Sequence, residues 1–368
     1  MLPESVTHQR LVSLDVFRGM TIAFMILVNT PGSWSHIYSP LEHAEWNGYT
    51  PTDLVFPFFL VAVGLAMSFS FKKYAAQPAR SFYGKVIRRT LFIFFLSWLL
   101  HLFPFYNKEL SHLRYLGVLQ RIALSYFFAA LLIRNIASQK TLIYISLGML
   151  LFYWLVLFGF GGPDPFSLTG NIVIRFDRWV MGESHMWHGK GIAFDPEGIL
   201  STLPAIVSVL SGYFIGHLIQ RFKSLDVVAH LLILGNILLL VGYTMSLAMP
   251  INKSLWTSSF VMVTSGLAAV VLGLLTYIID IKGKKGWIAP FLVFGMNPLF
   301  IYILSILWVK IYFIIHIGDQ NFYAWFYDSV FRPMVTPTFG SLLFALFHVL
   351  GCWLIGYILY RKKIFIKV

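Results

Sequence analysis

The chain is almost without cysteine. Cys352 is the single one, and it lies inside the last apolar run. That excludes an internal disulfide and a cysteine-based metal site, and it leaves a small core residue as the ordinary role of this thiol. Charge is scarce as well: Asp, Glu, Lys and Arg make up 12% of residues against 58% hydrophobic ones, and the mean hydropathy is +0.75. So apolar a composition excludes an ordinary soluble domain and predicts an all-α polytopic membrane helix bundle. No internal repeat, disordered linker or soluble module breaks the pattern, so residues 1–368 are expected to form a single domain. A cleavable leader is also not indicated. Arg10 and Arg18 precede an apolar stretch, but no small-residue cleavage site follows Val28, and the stretch is kept as a first membrane helix. Neither is there a Gly-rich phosphate cradle of the soluble kind.

What is present is a series of apolar runs, each near the length of about 20 residues that spans a bilayer. Beyond the first helix they lie near 53–71, 90–106, 115–134, 141–159, 199–220, 227–248, 255–279, 291–315 and 339–360, which predicts about ten transmembrane helices. The formal net charge is +13, yet the basic residues sit in short clusters between alternate apolar runs. That distribution orients helices rather than binding nucleic acid, and it places both termini in the cytoplasm. The segment 72–89 reads as a short basic hairpin on that side. Glu4, Asp15, Asp226 and Asp280 are also inside, whereas Glu42, Glu45, Asp53, Asp164, Asp177, Glu183, Asp195 and Glu197 fall at the outer face. An acidic outer face favours a cationic acceptor, and a basic inner face favours a polyanionic donor. Two outer connections, 30–52 and 160–198, are longer than connections usually run and are candidates for binding.

The sharpest local anomaly is the stretch 41–57, where one histidine, three carboxylates and an indole interrupt otherwise apolar sequence. Polar groups are expensive at a membrane unless they are used, so chemistry is expected at His43. His185 and His188 stand three residues apart, but without further ligands that spacing does not make a zinc site, and no metal is implied.

Taken together, the motifs resemble a known family. Arg10-Leu11-Val12-Ser13-Leu14-Asp15-Val16-Phe17-Arg18-Gly19 is followed by Asn29, His43-Ala44-Glu45-Trp46-Asn47-Gly48, Asp53-Leu54-Val55-Phe56-Pro57, Gly117-Val118-Leu119-Gln120-Arg121, Asp195-Pro196-Glu197-Gly198 and Gly295-Met296-Asn297. The series is similar to the heparan-α-glucosaminide N-acetyltransferase family, and the chain resembles the family's catalytic bundle alone. The resemblance implies an enzyme that moves acetyl from cytoplasmic acetyl-CoA to the amino group of a glucosamine-type sugar across the membrane. It implies His43 as the active-site histidine, with Asn29 as its polar companion. An imidazole can deprotonate an acceptor amine or can itself carry the acetyl group, and the residues leave both routes open.

Around that centre, Glu42 or Asp53 can orient the ring and Asn29 can donate to a developing oxyanion. Asp53 is equally suited to the start of a helix after Thr50-Pro51-Thr52. Trp46 and Asn47 suit a sugar platform, and Asp195 and Glu197 suit the acceptor's amine or the start of the helix near Ile199. For the donor, Arg18 can pair with Asp15 or face CoA, Gln120 and Arg121 can line a channel, and Lys284 and Lys285, near Asn297, can meet phosphates. The expected setting is a lipid bilayer, a bacterial inner membrane, with a homodimer as the default oligomer. An O-acyltransferase of a cell-surface glycan and an amino-sugar transporter are the alternative functions.

Overall fold

The computed structural model describes residues 11–74, 77–106, 109–334 and 336–366; Glu4 and Arg10 lie outside them. Among the described residues the fold is helical except for a two-residue hairpin pairing His316–Ile317 with Gln320–Asn321. The helices are α1 (Val12–Asn29), α2 (Pro51–Ser70), α3 (Ala79–Leu102), α4 (Val118–Asn135), α5 (Gln139–Phe160), α6 (Ile172–Met181), α7 (Thr202–Arg221), α8 (Ser224–Met245), α9 (Ser258–Leu275), α10 (Ala289–Met296), α11 (Pro298–Ile314), α12 (Phe322–Phe326) and α13 (Pro337–Arg361).

Nine of the ten expected stretches each fall on one helix, and the stretch 291–315 is divided between α10 and α11. Among the described residues seven helices, α1, α2, α5, α7, α8, α9 with its extension to Ile281, and α13, are long and apolar enough to cross a membrane, and α10 with α11 makes an eighth if the pair is one broken span. The break is sharp, 89°, because Pro298 has no N–H for α10 to continue through and disfavours helical backbone at Asn297. One boundary differs from the expectation: the residues read as a basic hairpin up to 89 belong largely to α3, which takes in Arg80, Lys85, Arg88 and Arg89. Lys and Arg are good helix formers, and nothing in 79–89 stops the helix but one glycine. The long connection 160–198 likewise contains α6, whose start is capped by the Asn171 side chain accepting from the Ile174 N–H at 2.9 Å.

Burial separates an inner from an outer layer. In their most apolar stretches α2, α7 and α9 are 67% buried, against 28% for α5, α8 and α13, so the first three form the centre and the others present apolar faces outward to lipid. At the centre α2 and α7 touch backbone to backbone: a Cβ on Gly64 would overlap the Val209 carbonyl, and one on Gly212 would overlap that of Val61. Two glycines on facing helices permit this approach, which membrane helices use for close packing.

Candidate active site

Asp53 organises the polar end of the bundle. Thr50 and Asp53 close a capping box at the start of α2, and Pro51 occupies the first turn, where its missing N–H is not needed. The same carboxylate reaches back to the preceding loop. Its Oδ2 accepts from the Ala44 N–H at 2.9 Å and the Thr50 N–H at 3.0 Å, while its Oδ1 lies 2.7 Å from His43 Nδ1. A carboxylate only accepts, so Nδ1 carries the hydrogen of this contact and Nε2 is the ring nitrogen that Asp53 leaves unengaged. Asp53 is 1% exposed, whereas His43 is half-exposed and lines a cavity of about 160 Å³ with Asn29, Glu197, Lys253 and Tyr302 among apolar side chains. Helix cap and ring orienter are thus one residue, and Glu42, exposed, contributes its backbone carbonyl to the Thr50 hydroxyl at 2.5 Å.

The cavity also contains a cation that the sequence reading passed over. Lys253 Nζ stands 3.2 Å from Asp53 Oδ1 and 3.1 Å from His43 Nδ1. Burial draws its amine below the ordinary lysine range, against the opposing pull of Asp53. The loop before α9 holds it there. Its Asn252, fully buried, donates to Asn47 Oδ1 at 3.1 Å and accepts from the Leu255 N–H at 2.8 Å, and the Gly48 N–H donates to the Ile251 carbonyl at 2.7 Å. Asn47, expected to meet a sugar, therefore joins the two loops. Trp46 is similarly committed, donating to the Phe166 carbonyl at 2.7 Å and packing edge-on against Phe194.

Asp195 and Glu197 come together on Arg114, also missed in the sequence. Arg114 donates to Asp195 at 2.9 and 2.6 Å and to Glu197 at 2.6 Å. Asp195 is fully buried in this cluster, while Glu197 reaches the His43 cavity. Burial works against the Glu197 charge, but Arg114, Arg121 and Lys253 outweigh it and hold its carboxyl below the usual range.

Arg121 is fully buried and donates to the Gly198 carbonyl and the Ser201 hydroxyl, with its guanidinium 5.1 Å from the centre of the Trp256 ring. It thus braces the chain after Glu197. Asp177 supports the same turn from below, accepting the N–H groups of Ile199 and Leu200 at 3.1 and 3.2 Å. Burial pushes its carboxyl up to about 7. A raised acid pKa means that ionisation weakens the fold: the penalty begins above the unfolded value near 4 and is complete above about 7. Asp177→Asn keeps the acceptor and removes the charge. It is expected to raise the melting temperature of detergent-solubilised protein at pH 8 by several degrees and to leave it unchanged at pH 4.

Three cavities stand end to end along α2. The His43 cavity shares Phe59, Leu119, Ile122 and Leu299 with a second of about 100 Å³ that is bordered by Arg18. The second shares Arg89 and Tyr126 with a third of about 430 Å³, lined also by Lys85, Arg88 and Tyr74. α2 walls the first two with Thr52, Val55, Phe56, Phe59, Ala62, Val63 and Ala66, one helical face repeated every three or four residues. From Thr52 to Ala66 this is about 20 Å along the axis at the usual helical rise. The series of cavities extends from the polar loops to the basic start of α3.

Of the residues expected to meet a donor, Arg18 borders this path, paired with Asp15 at 3.0 Å. Gln120 faces a side cavity with Arg114 and Lys310, and Arg121 belongs to the Glu197 cluster. Asn297 donates to the Ile364 carbonyl at 3.0 Å and accepts from the Ile366 N–H at 2.8 Å, tying the C-terminal segment to the α10–α11 break. Lys284 and Lys285 are exposed and line none of the three cavities. His185 is held by the Leu113 carbonyl and the Tyr115 hydroxyl, against whose ring it stacks. Among the described residues no group of three or more His, Cys, Asp or Glu is placed to hold a metal ion.

A family model described as heparan-alpha-glucosaminide N-acetyltransferase, catalytic, matches residues 10–244. The chain is 28% identical over 422 aligned residues to the heparan-alpha-glucosaminide N-acetyltransferase of Homo sapiens, with 99% of this chain and 61% of the relative covered. It is 26% identical over 418 residues to that of Mus musculus, with 98% and 60% covered. The chain thus spans about three-fifths of the length of these relatives. The family match includes Asn29, His43, Asp53, Arg114 and Glu197 and ends before Lys253.

Proposed function

The chain belongs to the heparan-alpha-glucosaminide N-acetyltransferase catalytic family, and from that membership and the geometry at His43 we propose that it moves acetyl from cytoplasmic acetyl-CoA to the amino group of an extracytoplasmic glucosamine-type sugar. The observation that carries the reading is the run of cavities joining a basic mouth to the His43–Asp53 pair. We place ten spans across a bilayer with both termini cytoplasmic, on the strength of the basic clusters. His43 then lies at the outer end of the path, and Lys85, Arg88 and Arg89 at the inner end.

In this reading the phosphates of CoA rest among Lys85, Arg88 and Arg89, and its thioester arm follows the apolar face of α2 past Arg18. This leaves aside as donor contacts Lys284 and Lys285, which line none of the three cavities, and Asn297, whose side chain is hydrogen-bonded to the C-terminal segment. The acceptor enters from the loops, where Glu197 attracts its ammonium, and it reacts as the free amine after one proton has passed to the water outside. His43 Nε2 takes a proton from the amine as its nitrogen attacks the thioester carbon. Asp53 holds the ring through Nδ1–H and stabilises the imidazolium that forms. Asn29 lines the same cavity and suits the carbonyl oxygen as it gains charge. The carbon–sulfur bond breaks, the thiolate of CoA leaves, and His43 returns the proton to it.

Purified protein given labelled acetyl-CoA and glucosamine is expected to yield labelled N-acetylglucosamine and free CoA. Formation of CoA thiol without acetylated sugar, or transport of sugar without either, would remove the acceptor assignment. A plug in the path makes a second test. Ile122→Trp, at the wall shared by the first two cavities, is expected to cut transfer by about tenfold or more by obstructing a fitted passage. Retention of full transfer in that variant would rule out this route for the donor.

A further inference from the structure

Lys253 lies outside the sequence matched to the family model, on a different loop from His43, and yet the two loops are built to bring it there. The Gly48–Ile251 and Asn47–Asn252 hydrogen bonds join them, and the base of the Lys253 loop is pinned by Thr257 Oγ1 donating to the Pro250 carbonyl at 2.9 Å and by the Tyr153 hydroxyl donating to the Leu255 carbonyl at 2.5 Å. The result is one carboxylate oxygen, Asp53 Oδ1, with His43 Nδ1 at 2.7 Å and Lys253 Nζ at 3.2 Å. We infer that Lys253 is a positioning residue that balances the Asp53 charge, so that Asp53 fixes the tautomer of His43 without drawing a second proton onto Nε2. This rests on the reading of His43 as the reacting imidazole.

The charges around the ring support that role. Asp53, from α2, favours an imidazolium; Lys253, from the loop before α9, opposes it at 3.1 Å from Nδ1. Glu197, from the turn before α7, lines the same cavity and is itself paired with Arg114. Lys190, on the long loop, donates to the Glu45 carbonyl at 2.6 Å and adds positive charge near Lys253. From α1 and α11 the cavity receives Asn29 and Tyr302. Without Lys253 the nearest charge to the ring is Asp53 alone. The pull of Asp53 toward a second ring proton would then be unopposed.

The test follows the ring directly. Diethyl pyrocarbonate modifies the unprotonated imidazole, and half-exposed His43 is open to it. The rate at the His43 peptide is measured by mass spectrometry against pH in folded, monodisperse protein, in parallel with the pH profile of acetyl transfer. A like charge within about 4–6 Å moves a titration by about one unit or more. Lys253→Met and Lys253→Gln are therefore expected to raise the midpoint of modification, and the acid limb of transfer, by at least about one pH unit, while Lys253→Arg leaves both in place. Midpoints in the Met and Gln variants equal to that of the unaltered protein would overturn the inference, even if transfer falls. Because the modification needs no turnover, it decides the role of Lys253 independently of whether glucosamine is the acceptor.

Discussion

His43→Ala is expected to lower acetyl transfer to glucosamine by about a thousandfold, within the range that a positioned general base contributes, and to leave the melting temperature close to that of the unaltered protein. The two halves of the prediction have one structural origin. The ring is half-exposed at the cavity rim, so its removal opens no void in a packed core. Among the described residues its imidazole is nonetheless the only one lining the cavity where the proposed donor path meets the loops. Binding of acetyl-CoA, whose phosphates are proposed to rest at the basic mouth more than about 20 Å from the ring along α2, should persist, so the loss should fall on kcat more than on the donor KM. Kinetics with both substrates varied, together with thermal melts, check this. An Ala variant retaining a tenth or more of the activity would remove His43 from the chemistry.

Asp53→Asn carries the second large effect, and it differs from the first in touching the fold. An amide in place of the carboxylate can no longer accept from Nδ1–H, the Ala44 and Thr50 N–H groups and Lys253 together. A wrongly held tautomer alone costs an orienting-carboxylate enzyme up to about 10⁴ in rate. The substitution also leaves the Lys253 ammonium beside an uncharged group in a largely buried site, a defect of about 3 kcal/mol. Transfer is therefore expected to fall at least as far as in His43→Ala, and the protein to melt earlier, which His43→Ala should not do. A variant that loses activity without loss of stability would show that the Lys253–Asp53 pair contributes little to holding these loops.

The contrast between these residues shows what the sequence could reveal. Apolar runs announced the helices, because segments that span lipid are written as continuous greasy stretches; the polar interruption at 41–57 announced His43. Asp53 was legible too, since a Thr-Pro-Thr-Asp start to an apolar run fits a helix cap, and the structure adds that cap and ring orienter are the same carboxylate. Lys253 was not legible. It stands 210 residues from His43 in the chain, and only the pairing of two loops brings it close. A lone lysine between apolar runs, on the side poor in cations, was the available signal. Arg114 was hidden for a similar reason: its partners Asp195 and Glu197 lie 81 and 83 residues away. At Asn297 the sequence is ambiguous, because a polar residue at a helix break suits a ligand and a backbone clamp equally, and the structure adds its hydrogen bonds to the C-terminal segment.

The central claim is a handover between faces of a membrane, and sidedness tests it. Protein carrying a C-terminal affinity tag is reconstituted into sealed vesicles, and vesicles with the cytoplasmic face outward are selected on an affinity resin through that tag. Glucosamine is enclosed and labelled acetyl-CoA is added outside. Labelled N-acetylglucosamine accumulating inside, with CoA released outside and no product in vesicles carrying His43→Ala, is the predicted result; product that forms only when donor and acceptor share one compartment would contradict it.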